Sequence, residues 1–262
     1  MVGSVGSLAL RMSQTWGLWS GGMSNPTDDV GPLTISIDDG VAVLRFDDGK
    51  ANVLSHAAID AFEEALDRAE ADARAVCLVG REGKLCAGFD LSVMSAGPEA
   101  ARELVTRGGE LLMRLYLHPQ PVVVAVTGHA LAAGALLVLA CDVRLGAAVP
   151  AKIGLNETSI GMPLPLFATE LARDRLSPAA FVRATLAAEI YDPADAARVG
   201  YLDRVVPTDE VVDQAIAEAN RLGAYRTGAY ARTKDVMRRA TVDRVKAGTA
   251  ADLALFTVEA PT

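Results

Sequence analysis

Apolar and polar positions set out the elements of this chain before any composition is considered. Leu33–Asp38 and Val41–Phe46 alternate apolar and polar residues on either side of Asp39-Gly40. A period of two marks half-buried strands, and an Asp-Gly pair between them marks a tight hairpin. Ile59, Phe62, Leu66 and Ala69 then recur at helical spacing, which predicts a helix over residues 57–71 with Ser55 as its N-cap. Residues 75–79 and 122–126 are short continuous apolar runs, the pattern of strands buried on both faces. Between them, Pro98 and Glu99 open a helix to about residue 117, with Leu104, Leu111, Leu112 and Leu115 as its core face. Small residues from Ala130 onward lead into a helix from Ala133 to about Ala140, and a strand follows over residues 142–145.

From about residue 163 the pattern turns helical, with segments near 166–173, 178–187, 193–198, 209–222, 227–240 and 242–256, and one short strand at 202–206. Strands alternating with helices imply a parallel sheet with right-handed crossovers. The chain therefore reads as an α/β core over residues 32–200 and a helical C-terminal lobe over 201–262. Residues 1–31 are rich in Gly and Ser, carry Trp16 and Trp19, and fit a signal peptide poorly. They read as a disordered extension ahead of the folded chain, with the natural start of the protein expected near Met23. No internal repeat is visible in the sequence.

Composition narrows the function classes. Of 262 residues, 51% are hydrophobic and 22% charged, enough to bury a full core. The net charge of −8, with no run of Lys or Arg, argues against nucleic acid and anionic membrane surfaces. No apolar stretch approaches the roughly 20 residues that span a bilayer. Cys77, Cys86 and Cys141 are odd in number and lack CxxC spacing, so a reducing, cytoplasmic setting is expected, without disulfides or a zinc site. His56, His118 and His129 show no ligand spacing, so no metal is expected.

Three stretches carry candidate chemistry. Leu85-Cys86-Ala87-Gly88-Phe89-Asp90-Leu91 follows a strand, and Ala-Gly lets the backbone turn so that the N–H of Phe89 faces a cleft. Residues 130–135 form a small-residue turn at a helix start, whose N–H groups can oppose that of Phe89. Two converging backbone donors suit an enolate or tetrahedral oxyanion. Each stretch reads equally as a packing turn. Glu157, in Ile153-Gly154-Leu155-Asn156-Glu157, is a lone carboxylate that reads as a catalytic base or as an ordinary capping group. Cys86 reads as a small buried apolar residue, Asp90 as a hydrogen-bonding brace for its loop, Asp142 with Arg144 as a structural pair, and His129 as a turn residue.

In order and spacing, LCAGFDL, AVTGHALAAGALLVLACDVR and IGLNETSIGMP resemble the motifs of the crotonase (enoyl-CoA hydratase/isomerase) superfamily, with weaker matches at KANVLS and AARVGYLDRVVP. The resemblance spans about residues 33–245. It implies a spiral core of ββα units with a C-terminal helical lobe that drives trimers or hexamers. It also implies an acyl-CoA thioester ligand and no separate cofactor, since coenzyme A is part of the substrate. The two oxyanion-hole donors map to the N–H groups of Phe89 and Ala133. Ala87, Gly88, Asp90, Leu91, Ala132 and Gly134 flank them as expected substrate-binding residues, and Lys50 and Ala51 of KANVLS join that set. Lys50, Arg81 and Lys84 are candidate partners for the coenzyme A phosphates, and Lys234 for a ligand in a neighbouring subunit.

The family's two catalytic glutamates match Leu136 and Glu157, so one has been replaced. Syn hydration needs a water held by two carboxylates, whereas moving a double bond from C3 to C2 needs one base and an oxyanion hole. GALLVLACD followed by IGLNE is similar to the Δ3,Δ2-enoyl-CoA isomerase branch, which implies an isomerase with Glu157 as the sole acid/base. A hydratase, another thioester enzyme such as a hydrolase, and a non-catalytic acyl-CoA binder are the alternatives. Two further departures are expected: ordinary backbone angles at an Ala132-Ala133 turn where the family has glycines, and a C-terminal tail without the long final helix.

Overall fold

The computed structural model describes residues 28–256. Strands β1 (Asp28–Val30), β2 (Leu33–Asp38) and β3 (Val41–Phe46) form an antiparallel meander. After β4 (Val53–Leu54), helix α1 (His56–Asp72) starts where Ser55 Oγ accepts from the N–H of Ala58. The chain continues through β5 (Ala75–Gly80), β6 (Gly83–Cys86), β7 (Gly88–Phe89), α2 (Leu91–Met94) and α3 (Pro98–Tyr116). Next come β8 (Val122–Val126), β9 (Gly128–Leu131) and α4 (Ala133–Ala140), then β10 (Val143–Ala147), β11 (Ile153–Gly154) and α5 (Leu166–Arg175). The C-terminal part holds α6 (Pro178–Thr185), α7 (Pro193–Val199), β12 (Arg204–Val206), α8 (Val211–Gly223) and α9 (Thr227–Ala254).

The main sheet runs β1-β2-β3-β5-β8-β10-β12 and is parallel from β3 onward. Each of β5, β8 and β10 is followed by a short strand, β6, β9 or β11, and then by a helix. The three short strands pair with one another in the order β11-β9-β6. This is a spiral of ββα units, the architecture that the resemblance implied. The repeat is structural only, because strands of two to four residues leave no periodicity to read.

Apolar residues cover both faces of the sheet. Val76, Leu78, Val122, Val124 and Val126 pack toward α1, α3 and α4, while Cys77, Val79, Val123 and Ala125 pack against Ala215, Ala219 and Leu222 of α8. The sheet continues past residue 200, since β12 pairs with β10 and α8 covers one face. β1 lies inside the stretch expected to be disordered; the rest of that stretch, residues 1–27, lies outside the described residues. Among the described residues, no helix is long and apolar enough to cross a membrane.

Residues 227–256 are not two helices with a short tail. They form one 28-residue helix, α9, which packs on α3 and α5. Thr241, where the apolar pattern breaks, is buried within the helix and donates its hydroxyl to Asp174. Three charge-assisted bonds anchor α9 to the sheet. Asp142 accepts from Lys234 Nζ and Arg238 Nη1, both at 2.6 Å, and also from Tyr230 Oη at 3.0 Å. Asp142 is therefore not the partner of Arg144, whose guanidinium binds Asp203 at 2.6 Å and the Gly200 carbonyl at 2.7 Å. Lys234 is likewise not available to a neighbouring ligand: it is buried and also donates to the carbonyls of His118 and Gln120.

Candidate active site

Two tight turns meet beneath α4. Gly88 adopts φ +112°, and a Cβ there would lie 3.1 Å from Ala132 Cβ and 3.9 Å from the nitrogen of Ala133. The angle calls for glycine, and the space for a side chain is tight. In β7 successive N–H groups point to opposite sides. That of Asp90 bonds the Leu54 carbonyl at 3.1 Å, which leaves that of Phe89 directed away from β4, and Phe89 itself lines a cavity. Ala133 opens α4, where N–H groups lack intrahelical acceptors and carry partial positive charge.

Ala132 does not have the ordinary angles expected of alanine. Its φ of +52° and ψ of −124° lie in territory that glycine occupies freely. Such a residue costs on the order of 1–3 kcal/mol and persists only where its surroundings over-determine it. Here the N–H of Ala132 bonds the Gly154 carbonyl at 3.0 Å and its carbonyl receives the N–H of Leu136 at 3.1 Å. Gly134 has a packing role: a Cβ there would strike the carbonyl of Cys86, so its absence lets α4 sit on the end of β6. Burial pushes the Cys86 thiol up to about 12, which rules it out as a nucleophile at neutral pH.

A cavity of about 130 Å³ opens between these turns and residues 156–167. Phe89, Ala132, Leu136 and Glu157 all line it. Glu157 is only 5% exposed, and its Oε2 has no hydrogen-bond partner. Burial outweighs nearby backbone N–H groups and pushes its carboxyl up to about 7. Asn156, beside it, lines the same cavity with an unpartnered Oδ1. Met94, Val105, Met162, Phe167 and Phe256 complete a largely apolar lining. These residues come from α2, α3 and α5, from the loop before α5 and from the segment after α9, so only the fold brings them together.

The glycine pair in the middle of α3 explains the aromatic walls. A Cβ on Gly108 would strike the ring of Phe89, and one on Gly109 would come within 2.7 Å of the ring of Phe167. Each helix-interior glycine costs roughly 1 kcal/mol against alanine. Burying the Phe167 ring fully gains about 1.5–3 kcal/mol, so the exchange favours Gly109.

Ala87 lines the cavity and also an open groove of about 310 Å³ bordered by Ala51, Lys84, His129, Leu131 and Lys152. Lys84 therefore presents a cation to this groove. Lys152, which the sequence analysis missed, joins it, and the nearby His129 accepts the Lys152 N–H at Nδ1. The side chain of Lys50 does not line the groove. Its carbonyl accepts from Arg81 at 2.9 Å and Lys84 at 3.3 Å and ties the two loops together. Ala51 is held by its neighbours: Asp48 accepts the N–H groups of Lys50, Asn52 and Val53, while Asn52 Nδ2 donates to the carbonyls of Phe46 and Leu85. Asp90 caps α2 through the N–H and hydroxyl of Ser92 at 2.8 and 2.6 Å, the bracing role read from the sequence. Leu91 follows at the cavity rim, 68% exposed.

This arrangement can hold an extended ligand: a charged portion along the groove, a carbonyl between the two turns and an apolar tail beside Glu157. The enoyl-CoA hydratase/isomerase family model matches residues 36–260. A mitochondrial enoyl-CoA delta isomerase 1 of Mus musculus is 33% identical over 223 residues, covering 83% of this chain and 77% of that protein. A crystal structure of an enoyl-CoA hydratase/isomerase family protein from Pseudomonas syringae superposes with a TM-score of 0.84 at 42% identity, over 86% of this chain and 98% of that one. An enoyl-CoA hydratase from Mycobacterium marinum superposes with a TM-score of 0.82 at 34% identity, over 87% and 100%. With the ββα spiral, the paired turns and these matches all in agreement, the chain belongs to the enoyl-CoA hydratase/isomerase family of the crotonase superfamily.

Proposed function

We propose that this protein is a Δ3,Δ2-enoyl-CoA isomerase that uses Glu157 as its single acid/base. The observation that carries this reading is that Leu136 lines the same cavity as Glu157 and, 1% exposed, supplies no polar atom to hold a nucleophilic water. The thioester carbonyl would lie between the N–H groups of Phe89 and Ala133, with the coenzyme A phosphates near Lys84 and Lys152. The Glu157 carboxylate removes a proton from C2 of a 3-enoyl thioester. The electrons spread over a dienolate whose oxyanion receives both N–H donors. Protonated Glu157 then returns the proton to C4, leaving the double bond between C2 and C3 and the carboxylate regenerated. A carboxyl near 7 suits both halves of that cycle at neutral pH. The dry surroundings that raise it also keep water from the dienolate.

The test is turnover of a 3-enoyl-CoA by the protein and by Glu157→Gln, with acyl-CoA binding measured alongside. Loss of turnover with binding retained is expected; undiminished turnover in the variant would remove Glu157 from the mechanism. A second reading, hydration of a 2-enoyl-CoA, is favoured by Asn156, whose unpartnered Oδ1 lies on the same wall as Glu157 Oε2. Those two oxygens are a minimal pair of partners for one water. A 3-hydroxyacyl product would support it.

A further inference from the structure

The cavity at Glu157 is lined in part by side chains that no step of the proposed reaction uses. Leu91 and Ile160, at 68% and 49% exposed, lie at its rim. Val105, Phe167 and Phe256, none more than 4% exposed, line its buried part. The volume of about 130 Å³ falls near that of an engineered apolar cavity of about 150 Å³ in another protein that takes up benzene, a molecule of six carbons. The reacting carbons must occupy this same space, because Phe89 and Glu157 line it. Room for only about two carbons then remains beyond C4.

The floor is also fixed in place. The ring of Phe167 fills the position where a side chain of Gly109 would stand, so the α3 backbone blocks its retreat. Phe256 is turned inward just past α9, with its N–H bonded to the Leu253 carbonyl at 3.1 Å. We infer that the protein selects short-chain acyl-CoA thioesters, with Phe167 and Phe256 setting a limit of about six acyl carbons. The inference rests on the acyl-CoA reading of the site but not on which reaction follows.

Binding of saturated acyl-CoAs from butanoyl to dodecanoyl, measured by calorimetry, tests it without any double bond to move. Each methylene added up to hexanoyl should tighten binding about fourfold, the equivalent of burying one methylene. Octanoyl-CoA should gain nothing further and decanoyl-CoA should bind more weakly. In Phe256→Ala the break should move to octanoyl or decanoyl. Phe167→Leu, which keeps the core filled, should move it by one or two carbons. Affinity that climbs steadily through decanoyl in the unmodified protein would overturn the limit. A break that stays at hexanoyl in both variants would overturn the assignment of these two rings as the floor. Failure to bind any acyl-CoA would instead defeat the proposed function itself, so the two failures are distinguishable.

Discussion

Replacing Glu157 by glutamine keeps the shape of the cavity wall and removes only its charge. A free glutamate titrates near 4.5 and Glu157 near 7, because burial penalises its charged form. The folded chain therefore holds this proton more tightly than the unfolded chain does. Sign follows directly: the protein is relatively favoured below pH 4.5, loses stability as pH rises, and has lost the full amount above pH 7. At about 1.36 kcal/mol per pH unit, the whole span from 4.5 to about 7 is worth about 3 kcal/mol. Most of it, about 2.5 kcal/mol, falls between pH 5 and 8. Glutamine does not titrate. The stability of Glu157→Gln minus that of the unmodified protein should therefore rise by about 2.5 kcal/mol from pH 5 to pH 8. Any fixed cost of placing an amide where Oε2 has no partner is the same at both values and cancels. Urea unfolding of both proteins at the two pH values gives the quantity directly. The same titration should place the acidic limb of kcat/KM near 7, with activity rising as pH rises. A stability difference that does not change with pH, or that falls as pH rises, would refute the account of Glu157 as a carboxylate kept in apolar surroundings.

Three further outcomes are expected. Asp142→Asn leaves Lys234 and Arg238 buried without a counter-charge, and should cost about 3–5 kcal/mol in calorimetric unfolding; an unchanged melting temperature would mean that α9 is not anchored there. Ala132→Gly relieves a positive φ worth about 1–3 kcal/mol against about 0.4–1 kcal/mol of added unfolded-state entropy. Urea unfolding should show a net gain of about 1 kcal/mol, and a loss would show that the turn is not strained. Leu136→Glu should move the acidic limb of kcat/KM above 7 through like-charge repulsion and introduce measurable water addition to a 2-enoyl-CoA. An unmoved limb would show that position 136 does not face Glu157.

The long elements were legible because their patterns are long. The β2–β3 hairpin, α1 with its Ser55 cap, and α3 stand where alternation, helical spacing and capping chemistry put them. The short strands β6, β9 and β11 leave no pattern to read, since each depends on partners distant in the chain. α9 reads as two helices because Thr241 interrupts its apolar stripe, and the bond that the Thr241 hydroxyl donates to the Asp174 carboxylate accounts for a polar residue there. Within the site, the Gly88-Phe89 turn and Glu157 were visible as motifs. The far wall was not: Val105, Phe167 and Phe256 belong to separate helices or lie just past one, and nothing local marks them as neighbours. The glycines at 108 and 109 were a readable signal, since two glycines inside a strong helix pattern usually mark a close approach. Ala132 shows the opposite limit, an alanine held at a glycine-like angle by bonds to Gly154 and Leu136 that no propensity anticipates.

The central claim is that Glu157, facing an apolar Leu136, moves a double bond rather than adding water. Mass-resolved product analysis after incubation with trans-3-hexenoyl-CoA tests it most directly. The account predicts a single product of unchanged mass, the 2-enoyl thioester, lost in Glu157→Gln. A product heavier by one water, formed at a rate equal to substrate loss, would contradict it.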